Sequence, residues 1–486
     1  MKSLPLYIFL VASLAGFSQN PDLPADFLNK EFHQQRRQHL REDMPPNSVA
    51  VFFANAVRNR ANDVEYAYHQ DPDFYYLSGY KEPDAVLLIF KDKQTSSTGT
   101  AYDEIIFVQA RNAFAEMWTG RRLGDTGVHE QLGFELSFNN KEFKKYNIDF
   151  SKFNDVLFHK FQNDVRNDPR DSSDLYDLIN QFKAKANFQE KTGLTLSVEP
   201  QRNNLNEVKL GSIMDGLRGI KTPEELELIQ RAVRISCQGQ VEVMKAMKPG
   251  MSEREVQGIH EFIFKKYQAE DLGYGSIVGG GHNGCILHYI ENYKPSITNK
   301  ELVLMDLGAE YHGYTADITR TIPASGKFSP EQKQIYDIVL NAQQSSIDAV
   351  KPGVTFQQIS KIARDIVNKG LKDLGIIQNE SEGTRYYPHG LSHHLGLDVH
   401  DRGDYGELKE NMVITVEPGI YIPDDSKCDK KWLGIAVRIE DDVVVTKDGH
   451  ELLSGSAPRT TKEIEAMMKL PSVLDNFILP PIEKKN

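Results

Sequence analysis

The stretch ELVLMDLGAEYHGYTADITRTI, residues 301–322, decides the fold. Positions 302–305 are all apolar, positions 315–322 read as a second strand, and Glu310-Tyr311-His312-Gly313 between them reads as a turn. The pattern predicts an antiparallel hairpin with one acid on each arm, Asp306 and Asp317. Both lie at similar distances from the turn, so the hairpin is expected to set them directly opposite on one face, with side chains about 5 Å apart. Facing like charges destabilise a sheet unless a cation lies between them. The plainer alternative is a pair of exposed acids at strand ends.

Two more acids sit in apolar, strand-like runs. VITVEPG (413–419) ends a strand on Glu417, and IAVRIEDDVVV (435–445) carries Glu440 inside one, with Arg438 on the same face. Arg438 and Glu440 taken by themselves fit a solvated ion pair equally well. The segment PHGLSHHLGLDVHD (388–401) holds four of the chain's 14 histidines, His389, His393, His394 and His400. A lone histidine is usually a satisfied core or surface residue, but four packed among glycines and apolar residues are not a surface pattern. Imidazole can ligate a metal, donate to an oxyanion or carry a proton, and residue type leaves open which histidine does which. NGCILHY (283–289) adds His288, which by itself reads as a core histidine. Four carboxylates and one imidazole would balance two divalent cations and leave room for a hydroxide. Oxygen-rich ligation of this kind suits Mn²⁺ best, with Zn²⁺ or Co²⁺ as alternatives.

An internal repeat frames these motifs. Thr222-Pro223-Glu224-Glu225 has an N-cap, a proline at the first helical position and a capping-box glutamate, followed by Leu226, Ile229 and Val233 at helical spacing. That helix stops at Lys248-Pro249-Gly250, and Ser252 with Glu255 opens the next, with Val256, Ile259 and Ile263 on one face. The same grammar returns in Ser329-Pro330-Glu331-Gln332, Lys351-Pro352-Gly353 and Thr355, the last followed by Ile359, Ile362 and Ile366. The two Lys-Pro-Gly stops are 103 positions apart, as are Ser252 and Thr355. A duplication predicts two α/β halves related by a pseudo-twofold axis, their sheets meeting at a common site.

The 486 residues exceed one ordinary domain. An α/β domain is expected over residues 20–212, with strands at 49–53, 86–90 and 105–108 and a more helical, charged stretch at 128–188. Asn203, Asn204 and Asn206 form a polar patch fit for a junction, and Trp118-Thr119-Gly120-Arg121-Arg122 reads as a surface loop. The second domain is expected over 213–470, with a tail at 471–486. Net charge is -12, so the basic footprint of a nucleic-acid binder is missing. Three scattered cysteines, Cys237, Cys285 and Cys428, give neither a disulfide framework nor a cysteine-based zinc site. Lys2, the apolar run at 4–17 and the small residues Gly16 and Ser18 fit a secretory signal peptide over residues 1–18, and the run is too short to span a bilayer. The expected location is periplasmic or secreted, without stable membrane insertion.

In this order, the motifs resemble the pita-bread metallopeptidases, and most closely the Xaa-Pro aminopeptidases (aminopeptidase P). The resemblance covers about residues 218–467 well, and extends weakly to DFYYLSGYKEPD (73–84) and the Trp118 motif. It implies an N-terminal α/β domain followed by a pita-bread catalytic domain. It implies that Asp306, Asp317, His393, Glu417 and Glu440 ligate two divalent ions. His288, His389 and His400 then match active-site histidines, and Arg438 the arginine beside the last ligand. The implied reaction is attack on an X-Pro bond by a hydroxide bridging ions roughly 3.5–4 Å apart. Glu417 would accept the water proton, and His288 and His400 would steady the tetrahedral intermediate and assist the leaving nitrogen. A homodimer or homotetramer through the first domain is implied as well. Prolidases share the fold but split only dipeptides, and usually carry Gly where this chain has Ser392. Methionine aminopeptidases lack a comparable first domain. Creatinase-like enzymes and non-catalytic pita-bread binding modules lack the ligand set that is intact here. His394 departs from the Trp common at its position in bacterial aminopeptidases P, which is expected to alter the pocket.

Overall fold

The computed structural model describes residues 26–96, 99–188 and 204–479. The expected signal peptide, Asn203 and residues 480–486 of the expected tail lie outside them. No helix of the described residues is long and apolar enough to cross a membrane.

The N-terminal part is built on a mixed six-stranded sheet. Ser48–Phe53, Val86–Thr95 and Ala101–Val108 form its antiparallel centre, and Ser137–Asn139, Asp155–Phe158 and Leu205–Asn206 join in parallel at the two sides. The expected helical character of 128–188 is therefore corrected by two strands. Asp155–Phe158 has only four residues, too few to show a period in sequence, and is placed by its parallel pairing with Ser48–Phe53. Trp118 closes a short helix, Ala113–Thr119, rather than lying in a loop, and it is exposed.

The C-terminal part repeats one unit twice. Helices Pro223–Ala246 and Glu253–Lys266 precede an antiparallel sheet of Ile277–Gly280, Leu302–Leu307 and Ile318–Pro323. Helices Pro330–Asp348 and Phe356–Asp373 precede a second sheet, of Val413–Val416, Asp441–Val445 and His450–Leu452. All four helices open on a capping box, at Thr222, Ser252, Ser329 and Thr355. Each such N-cap stabilises by about 1 kcal/mol, and together they fix where each helix begins. The repeat also reaches the buried polar contacts. Gln240 donates to the carbonyls of Met305 (3.2 Å) and Ile318 (2.9 Å). Gln343, 103 positions later, donates to Val416 O (3.1 Å) and Asp441 Oδ2 (2.9 Å). Each long helix thus pins the paired strands of its own half.

The two halves meet edge to edge. Glu440 N donates to Thr319 O at 3.1 Å, and Thr321 Oγ1 to Arg438 O at 3.0 Å. Fully buried Arg320 donates to Glu440 O (2.7 Å) and pairs with Asp441 (2.6 Å). The run 435–445 is not one strand. Ala436–Arg438 pairs with Gly419–Tyr421, Asp441–Val445 with Val413–Val416, and Glu440 falls at the break, where the chain changes partners to follow the seam.

A buried charge network ties the N-terminal part to the segment that carries His400. Asp73 accepts from Arg218 (2.6 Å), and the opposite side of Arg218 holds Asp401. Lys221 donates to Asp401 at 2.8 Å, and Arg402 lies 3.0 Å from Asp73. Asp73, Arg218, Lys221 and Asp401 are all buried. Arg218 is the cation shared by both acids, so its removal leaves Asp401 with Lys221 alone and Asp73 with the less buried Arg402 and His159. Arg218→Ala should destabilise the protein by about 3–5 kcal/mol, measured by urea unfolding. A loss under 1 kcal/mol would mean that the network contributes little.

Candidate metal centre

Pseudo-symmetry delivers the acids in pairs. Asp306 lies near the end of Leu302–Leu307 and Glu417 just after Val413–Val416, while Asp317 and Glu440 each immediately precede the antiparallel partner strand. In the second half the register runs to Val416↔Asp441, so Glu417 and Glu440 come next and face each other. In the first half Asp306 is opposite Thr319, so Asp317 is its diagonal neighbour on the same face. The expectation that Asp306 and Asp317 stand directly opposite is corrected by two positions, because the two-residue turn at His312-Gly313 sets the register.

The side chains converge. Donor atoms of Asp317, His393 and Glu440 lie within 4.8 Å of one another. His393 Nε2 is 3.5 Å from Asp317 Oδ2 and 3.5 Å from Glu417 Oε1. Asp306 joins through Tyr274, whose hydroxyl is 2.5 Å from Asp306 Oδ1 and 2.6 Å from Asp317 Oδ1. Asp306, Asp317 and Glu440 are buried, and Glu417 is partly so. Burial and then the charge of Asp306 raise the Asp317 carboxyl far above its ordinary range. Burial followed by Asp317 does the same to Glu440, and burial followed by Glu440 to Glu417.

Arg438 is the cluster's own cation. It donates to Asp306 Oδ2 at 2.5 Å and to the Thr319 hydroxyl at 3.2 Å, and Thr319 in turn donates to Glu440 Oε2 at 2.6 Å. Its partner is Asp306 in the interior, so the solvated Arg438–Glu440 pair is not what forms. Arg438 also donates to Tyr421 Oη at 2.8 Å, and Tyr421 Oη lies 2.8 Å from His389 Nε2. His389 Nδ1 is 2.7 Å from Gly390 O, which can only accept. Nδ1 is therefore the N–H, and Nε2 accepts from the tyrosine. Burial, then Arg438, hold the His389 pKa down at about 4, so the ring is neutral in neutral solution.

The remaining histidines divide. His400 packs edge-on against His393 with ring centroids 4.5 Å apart, and burial lowers its pKa. His288 is exposed, and its charge is felt at His400. His394 turns away from the cluster, fully buried between Phe356 and Tyr405, with Nε2 3.0 Å from Asp404 O. The expectation that His394 reshapes the pocket is corrected, since its alternating neighbour His393 takes the inward direction. Tyr274, Thr319, Tyr421 and Asp442 were not singled out by sequence. Asp442, a buried acid whose Oδ2 accepts from Asp317 N at 3.1 Å, is the one with a sequence signal, as the third acid of Glu440-Asp441-Asp442.

These residues fit divalent cations. One arginine cannot neutralise four carboxylates, and one phenol proton cannot satisfy two acceptors. His393 Nδ1 is committed to His394 O at 3.0 Å, which leaves its Nε2 lone pair aimed at carboxylate oxygens. A second hydrogen bond that fixes the tautomer in this way is the usual support of a metal-ligating imidazole.

Comparison with known proteins agrees with this arrangement. A model described as "Metallopeptidase family M24" matches residues 227–447, and one described as "Aminopeptidase P, N-terminal domain" matches 33–157. The Xaa-Pro aminopeptidase of Escherichia coli (strain K12) is 36% identical over 453 residues, 91% of this chain and 98% of that protein. The structure of E. coli aminopeptidase P with the inhibitor Pro-Leu matches with a TM-score of 0.79 and 34% identity, covering 91% of this chain and 98% of that one. The zinc-substituted E. coli aminopeptidase P in complex with product matches with a TM-score of 0.78, at the same identity and coverage.

Two outcomes are expected. Asp306→Ala and Glu440→Ala should remain soluble and folded while losing bound metal, read by elemental analysis of the purified protein; full occupancy in either would remove that residue from the centre. The raised carboxyls also set a pH dependence. A raised carboxyl favours the fold fully below its unfolded value, here 3.8–4.5, and that contribution is lost as pH rises through the folded value. The melting temperature of metal-free protein should therefore fall as pH rises above this range, and added Mn²⁺ should flatten the dependence. Identical profiles with and without Mn²⁺ would contradict the assignment.

Proposed function

The chain belongs to metallopeptidase family M24, among the Xaa-Pro aminopeptidases, and on that premise we propose that it releases the N-terminal residue from peptides whose second residue is proline. One observation carries the reading: Asp306, Asp317, His393, Glu417 and Glu440 converge from two repeated halves beside a neutral His389 and an Arg438 that faces Asp306. These five residues would hold two divalent ions, Mn²⁺ being the best match to the donor set and Zn²⁺ or Co²⁺ the alternatives. Such ions supply an acidified water and Lewis acidity toward the scissile carbonyl.

The protein's own groups do the rest. Arg438 fixes one oxygen of Asp306, and through Tyr421 holds His389 in the tautomer whose Nε2 accepts. Glu417 reaches the centre with one oxygen and lies 3.5 Å from His389 Nδ1 with the other, a position from which it can take a proton from water. His400, its pKa lowered by burial, packs against His393, and exposed His288 is near enough to act on His400 electrostatically. His400 and His288 would donate to the tetrahedral oxyanion and to the departing proline nitrogen. The N-terminal part is locked to the His400 segment by Asp73, Arg218 and Asp401.

Export through residues 1–18 and assembly as a homodimer or homotetramer belong to this proposal. The first rests on Lys2 and the apolar run that follows it, the second on the family resemblance. Dialysis against a chelator should abolish hydrolysis of an X-Pro-Y tripeptide, and Mn²⁺ should restore it. Under the same conditions the tripeptide should be turned over at least tenfold faster than the X-Pro dipeptide, measured by release of X. Turnover of the dipeptide alone would make the protein a prolidase, and indifference to chelation would defeat the metal-dependent reading altogether.

A further inference from the structure

Tyr274 is a group that the reaction outlined above does not use. It belongs to neither strand of the metal-site hairpin, yet its hydroxyl sits between the two acids of that hairpin, 2.5 Å from Asp306 Oδ1 and 2.6 Å from Asp317 Oδ1. The backbone is shaped to bring it there. Gly273 N donates to Gly308 O at 2.9 Å, stitching the Tyr274 segment to the hairpin. A Cβ on Gly308 would lie 2.9 Å from the Tyr274 ring and 1.8 Å from Ala316 O, and a Cβ on Gly273 would lie 1.8 Å from Thr315 Oγ1. Both glycines are therefore required for the ring to approach.

Asp306 and Asp317 are diagonal rather than directly paired, so the hairpin register does not by itself bring their oxygens together. The Tyr274 hydroxyl, in contact with one oxygen of each, spans the gap. We propose that Tyr274 is a positioning residue, holding Asp306 and Asp317 at the separation the cations need, so that the site is set before the metal arrives. The inference rests on the reading that these two acids ligate metal. A partner of this kind behind ligating carboxylates affects metal affinity by about 10- to 100-fold when removed.

The test titrates metal-free protein with Mn²⁺ alone by calorimetry. Tyr274→Phe keeps the ring and removes the donor. Its affinity at one or both sites should fall at least tenfold, and the Mn²⁺ concentration that gives half-maximal tripeptide hydrolysis should rise in parallel, with the KM for tripeptide unchanged. Wild-type affinity and stoichiometry in Tyr274→Phe would overturn the proposal while leaving the peptidase reading intact. A wild-type protein that takes up no Mn²⁺ would instead overturn the peptidase reading. A second arm places 3-fluorotyrosine at position 274, which keeps both ring and donor. Mn²⁺ affinity should stay within about threefold of wild type, and the ¹⁹F resonance should move as Zn²⁺ is added. A resonance unmoved by Zn²⁺, or a loss of affinity equal to that of the Phe variant, would overturn the proposal. 3-Fluorotyrosine changes one ring hydrogen and keeps the hydroxyl, so this arm does not depend on the folding of the Phe variant.

Discussion

Like charge in a confined space is the constraint from which the rest of this structure follows. Four carboxylates meet at the seam between two sheets, and the arginine and phenol beside them do not balance the charge. Burial and mutual repulsion push three of them toward the protonated state. A fold keeps such an arrangement only when something positive completes it. Much of the C-terminal part serves to hold the acids in place against this repulsion. Gln240 and Gln343 pin the strands from the helical layer, Arg320 ties one sheet to the other, and Asp442 anchors the backbone of Asp317.

Duplication explains how the centre is assembled. Each half offers an acid at the end of one strand and another just before its antiparallel partner, so a pseudo-twofold axis generates four carboxylates from one local design. The halves then diverge where chemistry requires asymmetry. His393 comes from the second half alone, and Tyr274 enters from the first. The N-terminal part reaches the centre by another route, through Asp73 and Arg218 to Asp401, next in sequence to His400. This buried ionic contact makes the two parts one working unit, since motion at the interface would carry the His400 segment with it.

Much of the candidate site was legible because its residues violate local expectation. An acid at the end of an apolar strand, or four histidines in one short segment, has few structural explanations, so Asp306, Asp317, Glu417 and the 389–400 cluster stood out. The four capping boxes made the helix starts readable, and their spacing exposed the repeat. Elements that obey no local period were missed. Asp155–Phe158 is a strand because a neighbour pairs with it, and the run 435–445 breaks at Glu440 because the chain changes sheets there. Tyr274 and Tyr421 gave no signal, since a lone tyrosine near glycine or proline is common and its partners lie far away in sequence.

The sequence by itself determined the kinds of groups available, the helix boundaries, the twofold repeat and the resemblance to a metallopeptidase family. These are set by side-chain chemistry and by hydrogen bonds made within a few residues along the chain. The tertiary structure decided register and direction: that Asp306 and Asp317 are diagonal, that His393 faces inward while His394 faces the core, that Arg438 pairs with Asp306, and that Tyr274 bridges two acids. Each of those depends on contacts between residues tens or hundreds of positions apart, where the free energy of packing and of burying charge, rather than local preference, selects the arrangement.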